Sequence, residues 1–347
     1  MDLLTPTWLM RLEHNMRVVA SRDYDRLTQN LWWNVMTKSM TSTSKKEILI
    51  WLLNTAKIDI LLDGEVHFEG LETHMHEYEH DFAGQGLKLN RSEFEDSDGK
   101  GIEFATEWSS QIGAYSAYWP QERVSKIVRE NTVKCYDGEV LFSQNHHINP
   151  AQGSGAGVFA NDFTGAAAGA YPGALPIHES GAGAVTLDVA LANLGKAIAY
   201  IQSIKMPNGR APRNLRVSHI VHPPLMNNRV LQLTNSKLIV QAGTGGAGSA
   251  DVESILRSMG LATPVQATEL GSAFGGDDQT YYLVVEDVVG GEVGALIYSE
   301  REAFQILWHG LQDDAQLARM NELQWMVRGR NAVTTGHPFG IFRFQGS

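Results

Sequence analysis

The sequence predicts a mixed α+β protein built around one long helix. Three observations carry that expectation. Ala105, Trp108, Ile112, Tyr115 and Trp119 recur at alternating steps of three and four, which puts all five on one stripe of a helix. Ile58, Ile60 and Leu62 alternate ahead of Asp63-Gly64, and Val66 and Phe68 alternate behind it, the pattern of two strands joined by a tight turn. The final third reads mainly as strand, in TYYLVVEDVV, ALIYSE, AFQILW and LQWMVRGRNAVTTGHPFGIFRFQ.

In chain order, residues 1–44 open with an amphipathic run (Leu3, Leu4, Trp8, Leu12) and continue through Leu31, Trp32, Trp33 and Val35 to the polar run TKSMTSTSKK. This stretch closes no core of its own, so it is expected to be an arm that packs on the rest of the chain or on a neighbour. Residues 57–90 are expected to form a hairpin standing away from the body, because LETHMHEYEHDFAGQGLKLN is mostly polar on both faces. The long helix covers 101–131, roughly 45 Å at 1.5 Å per residue. Asp96 and Asp98 precede it, where carboxylates suit the positive end of the helix dipole. Pro120 lies inside it and deletes one backbone bond, so a kinked continuation runs through Val124, Ile127 and Val128.

Beyond the helix, Tyr136-Asp137-Gly138 turns the chain into Val140, Leu141 and Phe142. The Gly/Ala-rich insertion 153–184 reads as loop. Thr186 suits an N-cap for a second helix whose stripe is Leu187, Leu191, Leu194, Ile198 and Ile201, stopped by Pro207-Asn208-Gly209. LRVSHIV reads as a strand and PPLMNNRVLQLTN as a helix begun by its prolines. KLIVQ, ADVESILRSMG and TPVQATEL follow as strand, helix and strand. No internal repeat is present.

With 347 residues, 43% of them apolar, the chain can bury a large core as two ordinary domains or one elaborate one. It has no run of 18 apolar residues, and MDLLTPTWLMRLEH lacks the order of a signal peptide, so neither membrane insertion nor export is expected. Cys135 is the single cysteine, which excludes an internal disulfide and fits folding in a cytosol. A formal charge of -11 with scattered Lys and Arg argues against direct gripping of nucleic acid.

Three motifs invite chemistry. Gly243-Thr244-Gly245-Gly246-Ala247-Gly248 is a formal G-x-G-x-x-G between KLIVQ and ADVESILRSMG, with Glu269 about 20 residues on, the order of a dinucleotide fingerprint. Asp251 and Glu253 would oppose a pyrophosphate there, and repeated βαβ units are missing. The loop is therefore expected to be a mobile tip. His74, His76 and His80 with Glu72 share one face of an extended strand, but no second cluster completes a metal site. His146 and His147 sit near Cys135 in sequence yet point opposite ways in a strand, which disfavours a dyad. No catalytic, cofactor-binding or metal-ligating residue is assigned, and no cofactor is expected.

Specific stretches carry a resemblance: NRSEFEDSDGKGI, the proline-containing helix GAYSAYWPQERVSKIVREN, CYDGEVLFSQNHH, and TLDVALANLGKAIAYIQS followed by APRNLRVSHIVHPPLMNNRVLQLTNS. Across residues 45–149 and 186–240 their order resembles the major head subunit of Mu-type tailed phages and prophages. Ser97 stands where that family has a second acid of an Asp-Asp pair. The resemblance implies the tailed-phage major capsid fold of the Hong Kong 97 type: an N-terminal arm (1–44), an E-loop hairpin (45–90), a long spine helix with peripheral-domain strands (91–150), an α/β axial domain (151–290), and return strands with a C-terminal tail (291–347).

The same resemblance implies a non-enzymatic major capsid protein, assembling as pentamers and hexamers into an icosahedral head around double-stranded DNA bound without sequence specificity. Its implied partners are a scaffolding protein, a prohead protease, a portal and a decoration protein, with no membrane. Its implied place is the virion, after assembly in the host bacterial cytoplasm. The rival readings are an encapsulin-type cargo shell and a dinucleotide-dependent oxidoreductase using the 243–248 loop.

Overall fold

The computed structural model describes residues 6–52, 73–96, 100–150, 157–164, 172–181, 183–206, 212–235, 239–241, 250–252, 263–287, 294–309 and 322–345. The first half holds α1 (Pro6–Thr28), α2 (Trp33–Met36), β1 (Thr37–Thr41), β2 (Lys46–Leu52), β3 (Thr73–Glu79), β4 (Asp81–Asn90), α3 (Arg91–Asp96) and α4 (Lys100–Glu130). After them come β5 (His146–His147), β6 (Val158–Phe159), β7 (Asp162–Phe163), α5 (Leu187–Ser203), β8 (Leu215–His222) and α6 (Asn227–Asn235). The chain continues with β9 (Ile239–Gln241), β10 (Ala250–Val252), β11 (Thr263–Gln266), β12 (Thr280–Asp287), β13 (Leu296–His309), β14 (Glu322–Thr335) and β15 (Ile341–Gln345).

Two sheets share α4. The four-stranded sheet has the order β1-β13-β14-β4, and the five-stranded sheet the order β11-β8-β12-β15-β7. The first half of α4 gives Ala105 and Ile112 to a core with Leu9, Leu12 and Met16 of α1 and Ile306, Trp325 and Val327 of the four-stranded sheet. Its second half gives Val124, Ile127 and Val128 to another core with Trp32, Trp33, Val221, Tyr282 and Ile341, where the two sheets meet. On the other face of the five-stranded sheet, α5 and α6 bury Leu194, Ile198, Ile201, Val230 and Leu233 against Ile220, Tyr281, Phe342 and Phe344. Each such side chain stabilises by about 1.5–3 kcal/mol when fully removed from water. One helix thus seeds two cores, which is why a 31-residue element organises the molecule.

The long helix matches its expected span within a residue at each end, and Pro120 lies inside it at a cost of about 3 kcal/mol or more. Its buried line differs from the expected stripe. Tyr115 is 69% exposed, whereas Ser109, Gly113, Ser116 and Ala117 are buried. The cause is the closeness of α1: a Cβ on Gly113 would lie 2.3 Å from the Ala20 carbonyl oxygen, so small residues face the partner helix and the tyrosine turns out.

Other expectations are corrected. Of the two placements expected for residues 1–44, α1 packs on its own chain, against α4 and the four-stranded sheet, while part of the polar run is not loose but forms β1, paired in parallel with β13. The Asp63-Gly64 turn and its flanking strands lie outside the described residues. The ribbon that is described pairs Lys46–Leu52 with Thr73–Glu79. Asp81–Asn90 does not stand away from the body: it is a ten-residue edge strand on β14. Gly84 permits that contact, because a Cβ there would sit 2.5 Å from the Val327 carbonyl oxygen. The 153–184 insertion is not only loop, since Phe159, Phe163, Leu175 and Ile177 enter the core. ALIYSE and AFQILW form one strand, with register shifts between Glu300 and Gln305. Thr186 occupies the N-cap of α5 with extended backbone and no side-chain cap bond.

Candidate assembly surfaces

The β2–β3 ribbon has two unlike faces. Antiparallel register sets Ile50 opposite Met75 and Ile48 opposite Glu77. Alternation along a strand then puts Leu49, His76 and Tyr78 on the inner face and Ile48, Ile50 and Met75 on the outer one. Leu49 packs on Tyr136 and Ile297, His76 Nε2 lies 3.2 Å from Thr334 Oγ1, and Tyr78 is buried. Outside, Ile48, Ile50 and Met75 are 54%, 62% and 63% exposed. Lys46 bridges Glu77 at 2.8 Å and Glu79 at 3.0 Å at the base of that face. A ribbon held to the body by one side therefore presents β-branched and thioether surface on the other.

The histidines predicted on this segment serve the fold. His80 is buried, with Nε2 2.9 Å from Ser299 Oγ and Nδ1 3.2 Å from the Lys45 carbonyl. Glu72 and the side chain of His74 lie outside the described residues, and among those described no group of three His, Cys, Asp or Glu could hold a metal ion. Cys135 is buried, and that burial, with the Asp137 charge second, pushes its thiol far above the ordinary range. His146 is fully buried with Nδ1 2.7 Å from Asp137 Oδ2 and Nε2 3.2 Å from the Leu141 carbonyl, so it braces the turn instead of pairing with Cys135.

The glycine loop lies outside the described residues, but its flanks overturn the dinucleotide arrangement. Gln241 pairs with Ala250 in an antiparallel ladder, so a strand follows the loop at the point where a fingerprint needs a helix N-terminus. Glu269, the acid at ribose distance in sequence, is 9% exposed. Its carboxylate accepts from Trp32 Nε1 at 2.7 Å, Tyr118 OH at 2.6 Å and Gln121 Nε2 at 2.6 Å. Burial alone would raise its pKa, but these donors outweigh it and hold the carboxyl below its ordinary value.

Two features escaped the sequence. The Asp162–Arg343 pair is bidentate, at 2.6 and 3.1 Å, and mostly buried. The exposed face of β2 was absorbed into the region between arm and hairpin, although the charge-flanked alternation in KEILIWL marks it as a strand.

Residues 13–171 match the family model of the Mu-like prophage major head subunit gpT. The match is a likeness to that family over somewhat less than half of the chain. A chain from the asymmetric unit of the bacteriophage PhiM1 mature capsid matches the protein with a TM-score of 0.51 at 12% identity, covering 91% of this chain and 87% of that one. A chain of the bacteriophage JBD30 procapsid matches at 0.46 and 14%, covering 99% and 77%, and the virus-like particle from Pyrococcus furiosus at 0.46 and 9%, covering 96% and 98%. No curated protein matches this chain. The chain has the mixed helix-and-sheet fold of a phage capsid protein. Among its described residues no helix is long and apolar enough to cross a membrane.

Proposed function

We propose that the protein closes as pentamers and hexamers into an icosahedral phage head enclosing double-stranded DNA, and that it does so without catalysis. In this reading 1–44 is the arm and 45–90 contains the E-loop, whose base is the β2–β3 ribbon. The helix α4 is the spine, the four-stranded sheet is the peripheral domain, and the five-stranded sheet with α5 and α6 is axial. A scaffolding protein, a prohead protease, a portal and a decoration protein act on the shell, which assembles in the host cytoplasm.

The observation that carries the reading is the outer face of the ribbon. Isolated two-stranded ribbons are marginal in water, and this one leaves Ile48, Ile50 and Met75 exposed while its inner face is anchored. Covering that face with a neighbouring subunit would add a modest contribution per contact, and symmetry repeats it around a closed shell.

The variant Ile48→Ser/Ile50→Ser/Met75→Ser tests it. Exposed substitutions should shift subunit stability by no more than about 1 kcal/mol, while particle yield in electron microscopy falls to near background. Shells at normal yield would overturn the proposal. Shells purified from cells and found to hold an enzyme rather than DNA would instead mark a cargo compartment.

A further inference from the structure

Pro120 has no amide hydrogen, so the carbonyl of Ser116 lacks its helical donor, and the pyrrolidine ring pushes on the preceding turn. A helix so weakened tends to kink there. Yet α4 runs unbroken from Lys100 to Glu130. The two donors that α4 sends to Glu269 stand on either side of the proline: Tyr118 two residues before it and Gln121 one residue after it. The acceptor sits outside the helix, on the short turn Thr268–Leu270 that follows β11. Its third donor, Trp32, comes from the link between α1 and α2.

From this geometry we infer that Glu269 is a splint across the proline break of α4, a positioning residue that sets the angle between the half of the helix in one core and the half in the other. Hydrogen bonds to a carboxylate are roughly twice as strong as neutral ones, and two of them reach the helix from adjoining positions around its weakest turn. The continuity of α4 through Pro120 is then conditional on contacts from a different part of the chain. The inference stands whether or not the ribbon clasps a neighbour.

Hydrogen exchange read by mass spectrometry on the full-length chain tests it. The variant Tyr118→Phe/Gln121→Met removes the helix-side bonds and leaves Glu269 on Trp32. Amides of residues 117–124 should then exchange about tenfold faster or more. Adding Pro120→Ala, which restores the missing backbone donor, should return exchange to within about threefold of wild type. Trp32→Phe, which spares the helix-side bonds, should leave that segment within the same margin. Unchanged exchange in the double variant, failure of Pro120→Ala to rescue it, or the same loss in Trp32→Phe would each overturn the splint. If the double variant does not fold, Tyr118→Phe alone is read the same way, with an expected acceleration of about threefold.

Discussion

Among single residues, Asp162 and Arg343 illustrate how much rests on a pair far apart in sequence. Burial works to raise the Asp162 pKa, but the Arg343 guanidinium and the Thr164 bonds outweigh it and hold the carboxyl below its ordinary value. A depressed carboxylate contributes stability that is fully present above the unfolded-state pKa and lost as pH falls through the folded value. Asp162→Asn should therefore cost about 3 kcal/mol near neutral pH, since it leaves a mostly buried arginine without its counter-charge. It should also flatten the acid limb of the stability curve, which thermal melts between neutrality and pH 3 would read; an unchanged melting temperature at neutral pH would contradict the assignment. Nothing in the sequence singles this pair out. Its partners meet only because β7 lies in register beside β15, and register is a tertiary fact. The same holds for Glu269, whose donors lie 148 to 237 positions away.

For whole elements the sequence was more informative, because a helix or strand is set by local spacing. The period of three and four located α4 and α5, and the alternation in the last third located β12 to β15. What failed was the direction each element faces. Tyr115 belongs to the apolar stripe by spacing, yet α1 approaches so closely that bulk is excluded from that line. Gly113→Ala makes the point quantitatively. Helix propensity favours alanine by about 1 kcal/mol, but a methyl group 2.3 Å from the Ala20 carbonyl must separate the helices. The variant should lose about 2 kcal/mol net, measured by chemical denaturation; a gain in stability would mean that α1 yields without cost. Strands read less well than helices where polar residues dominate both faces. The segment 81–90 looked free-standing because its burial is shallow, yet it is joined to β14 along its whole length by an antiparallel ladder, with a close approach at Gly84.

For the molecule as a whole, composition carries an expectation about charge. A net -11 with scattered basic residues argues against the clustered phosphate contacts, and the counterion release, that tight DNA binding needs. The purified protein should not retard duplex DNA in a mobility-shift assay at physiological salt, and a salt-dependent shift there would contradict that expectation. The order of family motifs placed the fold class, since it sampled two stretches on either side of the insertion. The interior of the 153–184 segment was illegible, because Gly/Ala content hides the few aromatic residues, Phe159 and Phe163, that anchor it.

The position of β15 has a consequence for biosynthesis. It lies between β12 and β7 in the five-stranded sheet, so both neighbours are synthesised before the strand that joins them. Asp162 waits for a partner 181 residues downstream, which at bacterial or eukaryotic elongation rates of 5–20 residues per second is roughly 10–40 s. During that interval two strand edges and a large aromatic surface have no partner within the nascent chain. The chain is thus vulnerable while still on the ribosome, and where several ribosomes read one message, neighbouring nascent chains would be the first surfaces those edges meet.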